Sequence, residues 1–210
     1  MTNENLTRTY PGSELIPNPR KIITNSVIIK APPEKIWPWL IQLGSGRAGW
    51  YSYDKIDNGG VPSARKIISE LQHIKAGDVM PAVPNTKDSF LVQEVVPFST
   101  IILVVPIITA FEETDVFKRM ESPLRVSWTL YLEPLDINTT KLISYGRISP
   151  DWLTYSATNS PGTLFIERVY KIFSKVPWTL MQPFAMAGHY IMESRMLTGI
   201  KKRVESNDSD

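Results

Sequence analysis

The sequence predicts an α+β fold in which a curved antiparallel sheet packs against one long C-terminal helix. Two observations lead to this prediction: short strand-like segments follow one another in the middle of the chain, and Leu180–Val204 repeats nonpolar residues at helical spacing. The length of 210 residues suits one domain, and no repeat or linker divides the chain. We expect an irregular arm over residues 1–20, a single domain over 21–205 and a disordered tail over 206–210.

The first elements are predicted from β-branched runs and from prolines. Ile22–Lys30 is rich in Ile and Val, which favours a strand. The Pro-Pro-Glu sequence at residues 32–34 predicts the start of a helix, because proline and acidic residues suit the first helical turn. Ser63 is expected to cap a second, short helix that extends through Leu71.

The sheet is predicted from alternating and β-branched segments separated by turns. The nonpolar residues Val126, Trp128, Leu130 and Leu132 alternate along one strand, so they share the face that must meet the long helix. Short turns at Pro97–Ser99 and Pro134–Asn138 predict consecutive hairpins. The five strands predicted after the short helix are Val79–Val83, Phe90–Val96, Thr100–Val105, Arg125–Glu133 and Lys141–Ser149.

Composition excludes several kinds of site. The chain has no cysteine and two histidines, which rules out disulfides, thiolate zinc sites, iron–sulfur clusters and three-histidine metal sites. Its 23 basic and 21 acidic residues nearly cancel, whereas nucleic-acid binders usually carry a basic excess. We therefore expect no metal, no cofactor and no nucleic-acid partner.

Nothing in the sequence predicts a membrane span or a secretory signal. The polar start, Met1–Tyr10, lacks the apolar stretch of a signal peptide. The most apolar stretch, Ile101–Phe111, is too short to cross a bilayer and is interrupted by Pro106. We expect a cytoplasmic protein with no integral membrane segment; the sequence leaves its oligomeric state open.

Two motifs suggest chemistry by their spacing. Gly44–Gly49 matches the dinucleotide-binding pattern G-x-G-x-x-G, but the residues before it have helical periodicity rather than that of a strand. We therefore expect a turn between two helices. His189 and Glu193 lie one turn apart on the long helix and could form an acid–base pair in a cavity, or a structural or solvent-facing pair. A metal site would require further ligands.

A candidate pocket is predicted from aromatic residues and methionines. The segment Trp50–Asp54 follows a glycine-rich turn and combines apolar rings with hydrogen-bonding groups, as ligand-pocket walls do. The alternative is that Trp50 fills the core while Tyr51 and Asp54 lie at the surface. Four methionines on the long helix could likewise contact an apolar ligand or fill the core: Met181, Met186, Met192 and Met196.

Five stretches of the chain also match a known pattern: Ala31–Leu43, Gly49–Asn58, Pro62–Asp78, Ser127–Pro134 and Met192–Lys202. Together they resemble the SRPBCC, or START-like, superfamily, in particular its bacterial branch labelled polyketide cyclase/dehydrase or lipid-transport-like. The resemblance implies a helix-grip fold, in which an antiparallel sheet wraps around a long C-terminal helix and encloses an apolar cavity. The superfamily includes lipid carriers, hormone and allergen-type binders, aromatase/cyclases and ring-hydroxylase subunits, so the fold does not select a function.

We expect the protein to bind or carry a small hydrophobic molecule, such as a lipid, a polyketide-like compound or an aromatic compound, between sheet and helix. The alternative is a cofactor-independent cyclase or dehydratase that uses Asp54, Arg147, His189 or Glu193 on a hydrophobic substrate. A buried titratable group with a shifted pKa would favour the enzyme. The residues expected to contact the ligand are Trp50, Tyr51, Tyr53, Asp54, Trp128, Leu130, Arg147, His189, Met192 and Met196.

Overall fold

The computed structural model describes residues 8–84, 89–107, 114–150 and 178–206, with side chains from residue 188 onward in the last range. Two short 3-10 turns occur at Ser13–Leu15 and Ser69–Leu71. The strands and helices of the described residues are β1 (Lys21–Ile29), α1 (Pro33–Ile41), α2 (Asp54–Asp57), β2 (Val79–Pro81), β3 (Ser89–Val96), β4 (Thr100–Pro106), α3 (Val116–Glu121), β5 (Leu124–Asp136), β6 (Thr139–Ile148) and α4 (Trp178–Ser206).

The six strands form one antiparallel sheet in the order β1-β6-β5-β4-β3-β2. Strands β2 through β5 each pair with the next strand in the chain, and β1 pairs with β6 at the far edge. Register shifts interrupt the pairing between Val92 and Glu94, between Val105 and Pro106, and between Pro134 and Asp136. Such bulges bend strands and increase their twist, which curves the sheet. The predicted α+β fold is confirmed.

Helix α4 lies against the concave face of this sheet. Met196, Leu197, Ile200 and Val204 are buried on the side that faces the strands. The core that they enter includes the inward-facing leucines Leu130, Leu132 and Leu142. The nonpolar residues that recur at helical spacing over Leu180–Val204 include Ile191, but the expectation that it packs on the sheet is wrong, because its side chain is 53% exposed. Helical spacing alone did not show which side of this wide nonpolar surface packs on the sheet.

The opposite face of the sheet is covered by the N-terminal arm and, over β3 and β4, by α3. Tyr10 is buried against Tyr145, with ring centroids 5.0 Å apart. The Thr129 hydroxyl donates to the carbonyl of Pro11 at 2.8 Å. Residues 8–20 contain one 3-10 turn and no strand or α-helix, and they pack against the sheet. The predicted tail beyond Ser206 lies outside the described residues.

Two predictions about short elements are wrong. The helix expected from Ser63 to Leu71 is reduced to the 3-10 turn Ser69–Leu71. The Ser63 hydroxyl does not cap a helix, because it accepts from the Tyr51 N–H at 3.1 Å and donates to Asp54 at 2.5 Å. Helices α2 and α3 were not predicted. Long-range hydrogen bonds thus replaced the local capping bond that the sequence suggested.

The glycine-rich segment is the expected turn between helices, because α1 precedes it and α2 follows it. Gly44 and Gly49 form an isolated antiparallel bridge, and Gly44, Gly46 and Gly49 have positive φ angles. Arg47 donates to the carbonyls of Ile41 and Leu43, both at 2.9 Å, and so satisfies the end of α1.

Candidate ligand-binding site

Three aromatic rings meet between the sheet and the Trp50–Asp54 segment. Trp50 lies 5.7 Å from both Phe90 and Trp128, and Phe90 lies 5.2 Å from Trp128, between ring centroids. The Trp50 indole N–H donates to the carbonyl of Ala82 at 2.9 Å, which fixes the ring against β2 and the residues after it. We call Trp50, Phe90 and Trp128 the aromatic cluster. It provides a large apolar surface on the concave side of the sheet.

Tyr51 holds the segment after the cluster in a restricted conformation. Its φ angle of 57° lies in the left-handed region, which costs roughly 1–3 kcal/mol for a non-glycine residue. The Tyr51 hydroxyl accepts from Gln42 at 2.7 Å and donates to the carbonyl of Trp39 at 3.3 Å. Burial raises the pKa of Tyr51 to about 12, so the phenol stays neutral. Its hydrogen bonds and burial anchor Trp50 beside it.

A buried carboxyl group adjoins the aromatic cluster. The Trp128 indole N–H donates to the Ser144 hydroxyl at 2.7 Å, and that hydroxyl donates to Glu193 Oε1. Glu193 projects from α4 and is only 5% exposed. Within the described residues, its second oxygen, Oε2, has no hydrogen-bond partner. An unfilled hydrogen-bonding position therefore lies next to apolar rings.

The environment of Glu193 disfavours its charged form. Burial raises the pKa of this carboxyl group, because the carboxylate loses solvation. The hydrogen bond from Ser144 and the nearby side chains of His189 and Asn25, whose amide donates to Ser194, oppose this effect in part. Asn25 and Ser144 are direct partners across β1 and β6, so the two strands together form the polar floor beneath Glu193.

The structure brings five predicted site residues to one apolar core: Trp50, Tyr51, Leu130 and Met196 are buried in it, and Trp128 packs against it. Met192 is half-buried on α4, next to Glu193 in sequence. His189 is exposed, one turn before Glu193. The side chains of Met181 and Met186 lie outside the described residues.

Other predicted site residues lie elsewhere. Tyr53 is 41% exposed and carries Arg195 over its ring at 5.8 Å. Asp54 is half-buried and bound to Ser63. The placement of Arg147 in the pocket is wrong, because this residue lies on the opposite face of the sheet. Its guanidinium donates to the carbonyls of Ile16 and Pro17 in the arm, at 2.8 and 3.0 Å.

Sequence reasoning missed Phe90, Ser144 and Asn25 as members of this site. Phe90 belonged to a predicted strand, but its face could not be chosen without the pairing of β3. Ser144 is two residues beyond Leu142 on β6, so alternation places both on one face. That signal was available. Asn25 can be recognised as part of the site only once its pairing with Ser144 is known.

A cavity of about 470 Å³ occurs away from the aromatic cluster. It lies beside α1 and the β3–β4 hairpin. None of the predicted site residues lines it; its lining residues are Trp37, Ile41, Gln72, His73, Ile74, Lys75, Asp78, Val95 and Pro97.

Two absences apply to the described part of the chain alone. The described residues include no group of three or more His, Asp or Glu side chains that could hold a metal ion. In the same residues, no helix has the length and apolar character needed to cross a bilayer.

Comparisons with known proteins give structural similarities alone. No protein-family model and no curated protein matches the chain. The polyketide-cyclase-like protein Cgl2372 of Corynebacterium glutamicum matches at 16% identity, with 89% of this chain and 92% of that chain covered and a TM-score of 0.41. The self-sacrificing resistance protein CalC of Micromonospora echinospora matches at 12% identity, with coverages of 89% and 95% and a TM-score of 0.42.

A third match is EF2215, a conserved protein of Enterococcus faecalis, at 9% identity and a TM-score of 0.38. The alignment covers 63% of this chain and 58% of that protein, so the chain spans less than two thirds of its length. The assignment of the fold rests on this chain's own strands and helices. Its six-stranded antiparallel sheet and the long C-terminal helix across the concave face give the chain the helix-grip architecture of START-like proteins.

Proposed function

We propose that the protein binds or carries a small apolar molecule that has one hydrogen-bonding group, in the space between the sheet and α4. The observation that carries this proposal is Glu193, whose Oε2 is buried beside the aromatic cluster without a partner in the described residues. A buried polar atom without a partner costs roughly 1–3 kcal/mol. A carbonyl or hydroxyl group on a ligand would recover that free energy.

The apolar part of such a ligand has surface to contact. Phe90, Trp128 and Met192 are half-buried, whereas Leu130 and Leu132 further along β5 are almost fully buried. The concave face therefore retains accessible apolar area at its Trp128 end. Covering apolar area contributes roughly 25 cal/mol per Å², which suits a lipid-like, polyketide-like or aromatic compound.

The raised pKa of Glu193 favours a second candidate function, a cofactor-independent cyclase or dehydratase. Burial favours the protonated form of this carboxyl group, and in that form it can donate a proton to a substrate carbonyl or to a departing hydroxyl group. In this reaction class, the apolar walls would orient the substrate and Glu193 would act as general acid. Both functions use the same space and differ in whether the bound molecule changes.

Native mass spectrometry of the purified protein tests the binding proposal directly, through a co-purified ligand. A second test titrates the protein with Nile red, an uncharged apolar dye. Met192→Lys should weaken dye binding at least tenfold, because a lysine would place a charge at the apolar surface. Ile191→Lys is the matched control: it alters the adjacent, exposed residue of the same helix and should leave dye binding unchanged.

Thermal melts establish that both variants fold. Equal dye affinity in the folded Met192→Lys and Ile191→Lys proteins would contradict the proposed site. Glu193→Gln separates carrier from enzyme, because the amide retains an acceptor for Ser144 but cannot donate a proton as an acid. Conversion of the co-purified molecule by the wild-type protein but not by Glu193→Gln would support the enzyme. Recovery of the unchanged molecule from both would support the carrier.

A further inference from the structure

A second, polar site lies between α4 and the segment that contains α2. We call it the basic recess. Its volume is about 170 Å³, below the roughly 300 Å³ of pockets for drug-sized ligands. No member of the aromatic cluster lines it. The residues that matter here are Arg195, Thr198, Lys202 and Arg203 on α4, with Ser52 and Asp54 opposite.

Arg203 is held rigidly at the wall of the basic recess. Its Nε donates to the carbonyl of Ala64 at 2.8 Å, and its Nη1 donates to the carbonyl of Gly199 at 3.1 Å. The guanidinium carbon lies 4.3 Å from the centroid of the Tyr51 ring. None of these contacts occupies Nη2. Arginine so positioned presents its remaining N–H groups in a fixed direction.

Positive charge exceeds negative charge in the basic recess. Arg195, Lys202 and Arg203 form no ion pair with any carboxylate in the described part of the chain. Asp54 is the carboxylate that lines the recess, and it accepts a hydrogen bond from Ser63. The lining therefore carries a surplus of two positive charges. Arg203 is half-buried, and the resulting loss of solvation lowers the pKa of its guanidinium.

The helix dipole does not account for this cluster. Cations in the last turn of a helix interact favourably with its C-terminal carbonyls, and Lys202 and Arg203 lie near that end. Arg195, however, precedes the end of α4 by about three turns, beyond the reach of that effect. The spacing of residues 195, 198 and 202 places them along one side of the helix, so they converge on the recess.

We propose that the basic recess binds a phosphate group. The hydroxyls of Ser52 and Thr198 already donate to the carbonyls of Met192 and Ser194, at 2.9 and 2.8 Å. The free donors are therefore Nη2 of Arg203 and the N–H groups of Arg195 and Lys202. A phosphate monoester has acceptor oxygens alone and a charge of nearly −2 near pH 7, which matches both the donors and the surplus charge. Free phosphate and the phosphate of a lipid headgroup share this chemistry.

The test uses inorganic phosphate and the full-length protein in 50 mM salt, by calorimetry and by NMR of the arginine Nε–H signals. Wild-type protein should bind phosphate at millimolar concentration or below and shift the Arg203 signal. Arg195→Gln and Lys202→Gln should each weaken binding about tenfold, because each removes a charge-assisted contact. Lys55→Gln is the control, since Lys55 is exposed and does not line the recess.

Two results would overturn the proposal: no phosphate binding up to 20 mM, or equal binding by Lys202→Gln and Lys55→Gln. Arg203 is not substituted, because its contacts with Ala64, Gly199 and Tyr51 also support the fold. Lys202→Gln should retain Nile red binding. Failure of the phosphate site is therefore distinguishable from failure of the proposed apolar site.

Vesicles identify the source of the phosphate. Phosphatidylcholine vesicles with and without 20% phosphatidic acid are sedimented with the wild-type and Lys202→Gln proteins. Recruitment that requires phosphatidic acid and Lys202 supports a lipid headgroup as the occupant. Binding of inorganic phosphate without such recruitment supports a free phosphate compound. Recruitment that Lys202→Gln leaves unchanged would contradict a role of the recess at lipid surfaces.

Discussion

Replacing Gly199 by alanine tests the contact that joins α4 to the Trp50–Asp54 segment. A Cβ at this position would overlap sterically with the Tyr51 carbonyl oxygen and would lie 3.0 Å from the Tyr51 Cβ. Tyr51 cannot withdraw easily, because its amide, hydroxyl and ring are all held by neighbours. Forcing extra atoms into a packed interior typically costs about 1–3 kcal/mol.

Alanine also favours a helix over glycine by about 1 kcal/mol, so the two effects oppose each other. With strain near the upper end of its range, Gly199→Ala should lower the free energy of unfolding by about 2 kcal/mol. That corresponds to a decrease in melting temperature of roughly 4–8 °C for a chain of this size. Urea unfolding followed by circular dichroism gives the free energy, and differential scanning calorimetry gives the melting temperature.

Gly188→Ala is the matched control on the same helix. A Cβ at Gly188 meets no atom within 4 Å, so the helix preference acts without strain. This variant should gain up to about 1 kcal/mol. The two variants should thus differ by about 3 kcal/mol in opposite directions from the wild type. A Gly199→Ala protein as stable as Gly188→Ala would refute the close approach of α4 to Tyr51.

Two further predictions concern a buried carboxyl group and the arm. Burial, and then the charge of Asp54, raise the pKa of Asp57 from 3.8 to about 6, so its contribution to stability is present below pH 4 and is lost as the pH rises to 6. Asp57→Asn should therefore make the free energy of unfolding depend less on pH over this range. Glu193 contributes a slope of the same sign, which Glu193→Gln removes. An unaltered pH dependence in Asp57→Asn would contradict the burial of Asp57. Deletion of residues 1–20 should lower the free energy of unfolding by several kcal/mol, and with it the urea midpoint, because it exposes the buried Tyr145 and removes two carbonyl partners of Arg147. An unchanged midpoint would show that the arm does not pack on the sheet in solution.

Strand β5 shows what local pattern can predict. Val126, Trp128, Leu130 and Leu132 alternate with more polar residues, and the structure directs Leu130 and Leu132 into the core beneath α4. The predicted bounds of β3, β4 and β6 agree with the structure to within two residues. Side-chain period and turn residues act over a few positions, so one sequence suffices to read them.

Arg147 shows where local pattern fails. It was assigned to the pocket, yet it lies five residues beyond Leu142 on β6, and an odd separation reverses the face. The exposed or buried state of each face also depends on what covers it. Because the arm packs on the outer face, Arg147 is buried there against Ile16 and Pro17 rather than exposed to solvent.

Glu193 shows the same limit for chemistry. The sequence indicates that it lies one turn after His189 on a long helix, and leaves open a pair in a cavity and a structural or solvent-facing pair. The structure separates them, since His189 is exposed while Glu193 meets Ser144 and is buried. Burial, which raises the pKa of Glu193, is set by strands that lie about 50 and 170 residues away in the chain.

The sequence by itself determined the order of the strands, of the first helix and of the last helix, together with the inward face of β5, because these follow from short-range periodicity and turn chemistry. The tertiary structure alone decided which side of α4 meets the sheet and that the arm and α3 cover the opposite face. It also decided that Glu193 is buried while Arg195, Lys202 and Arg203 converge on one recess. These outcomes depend on contacts between residues that are distant in the chain. The free energies of such contacts cannot be read from a short segment of sequence.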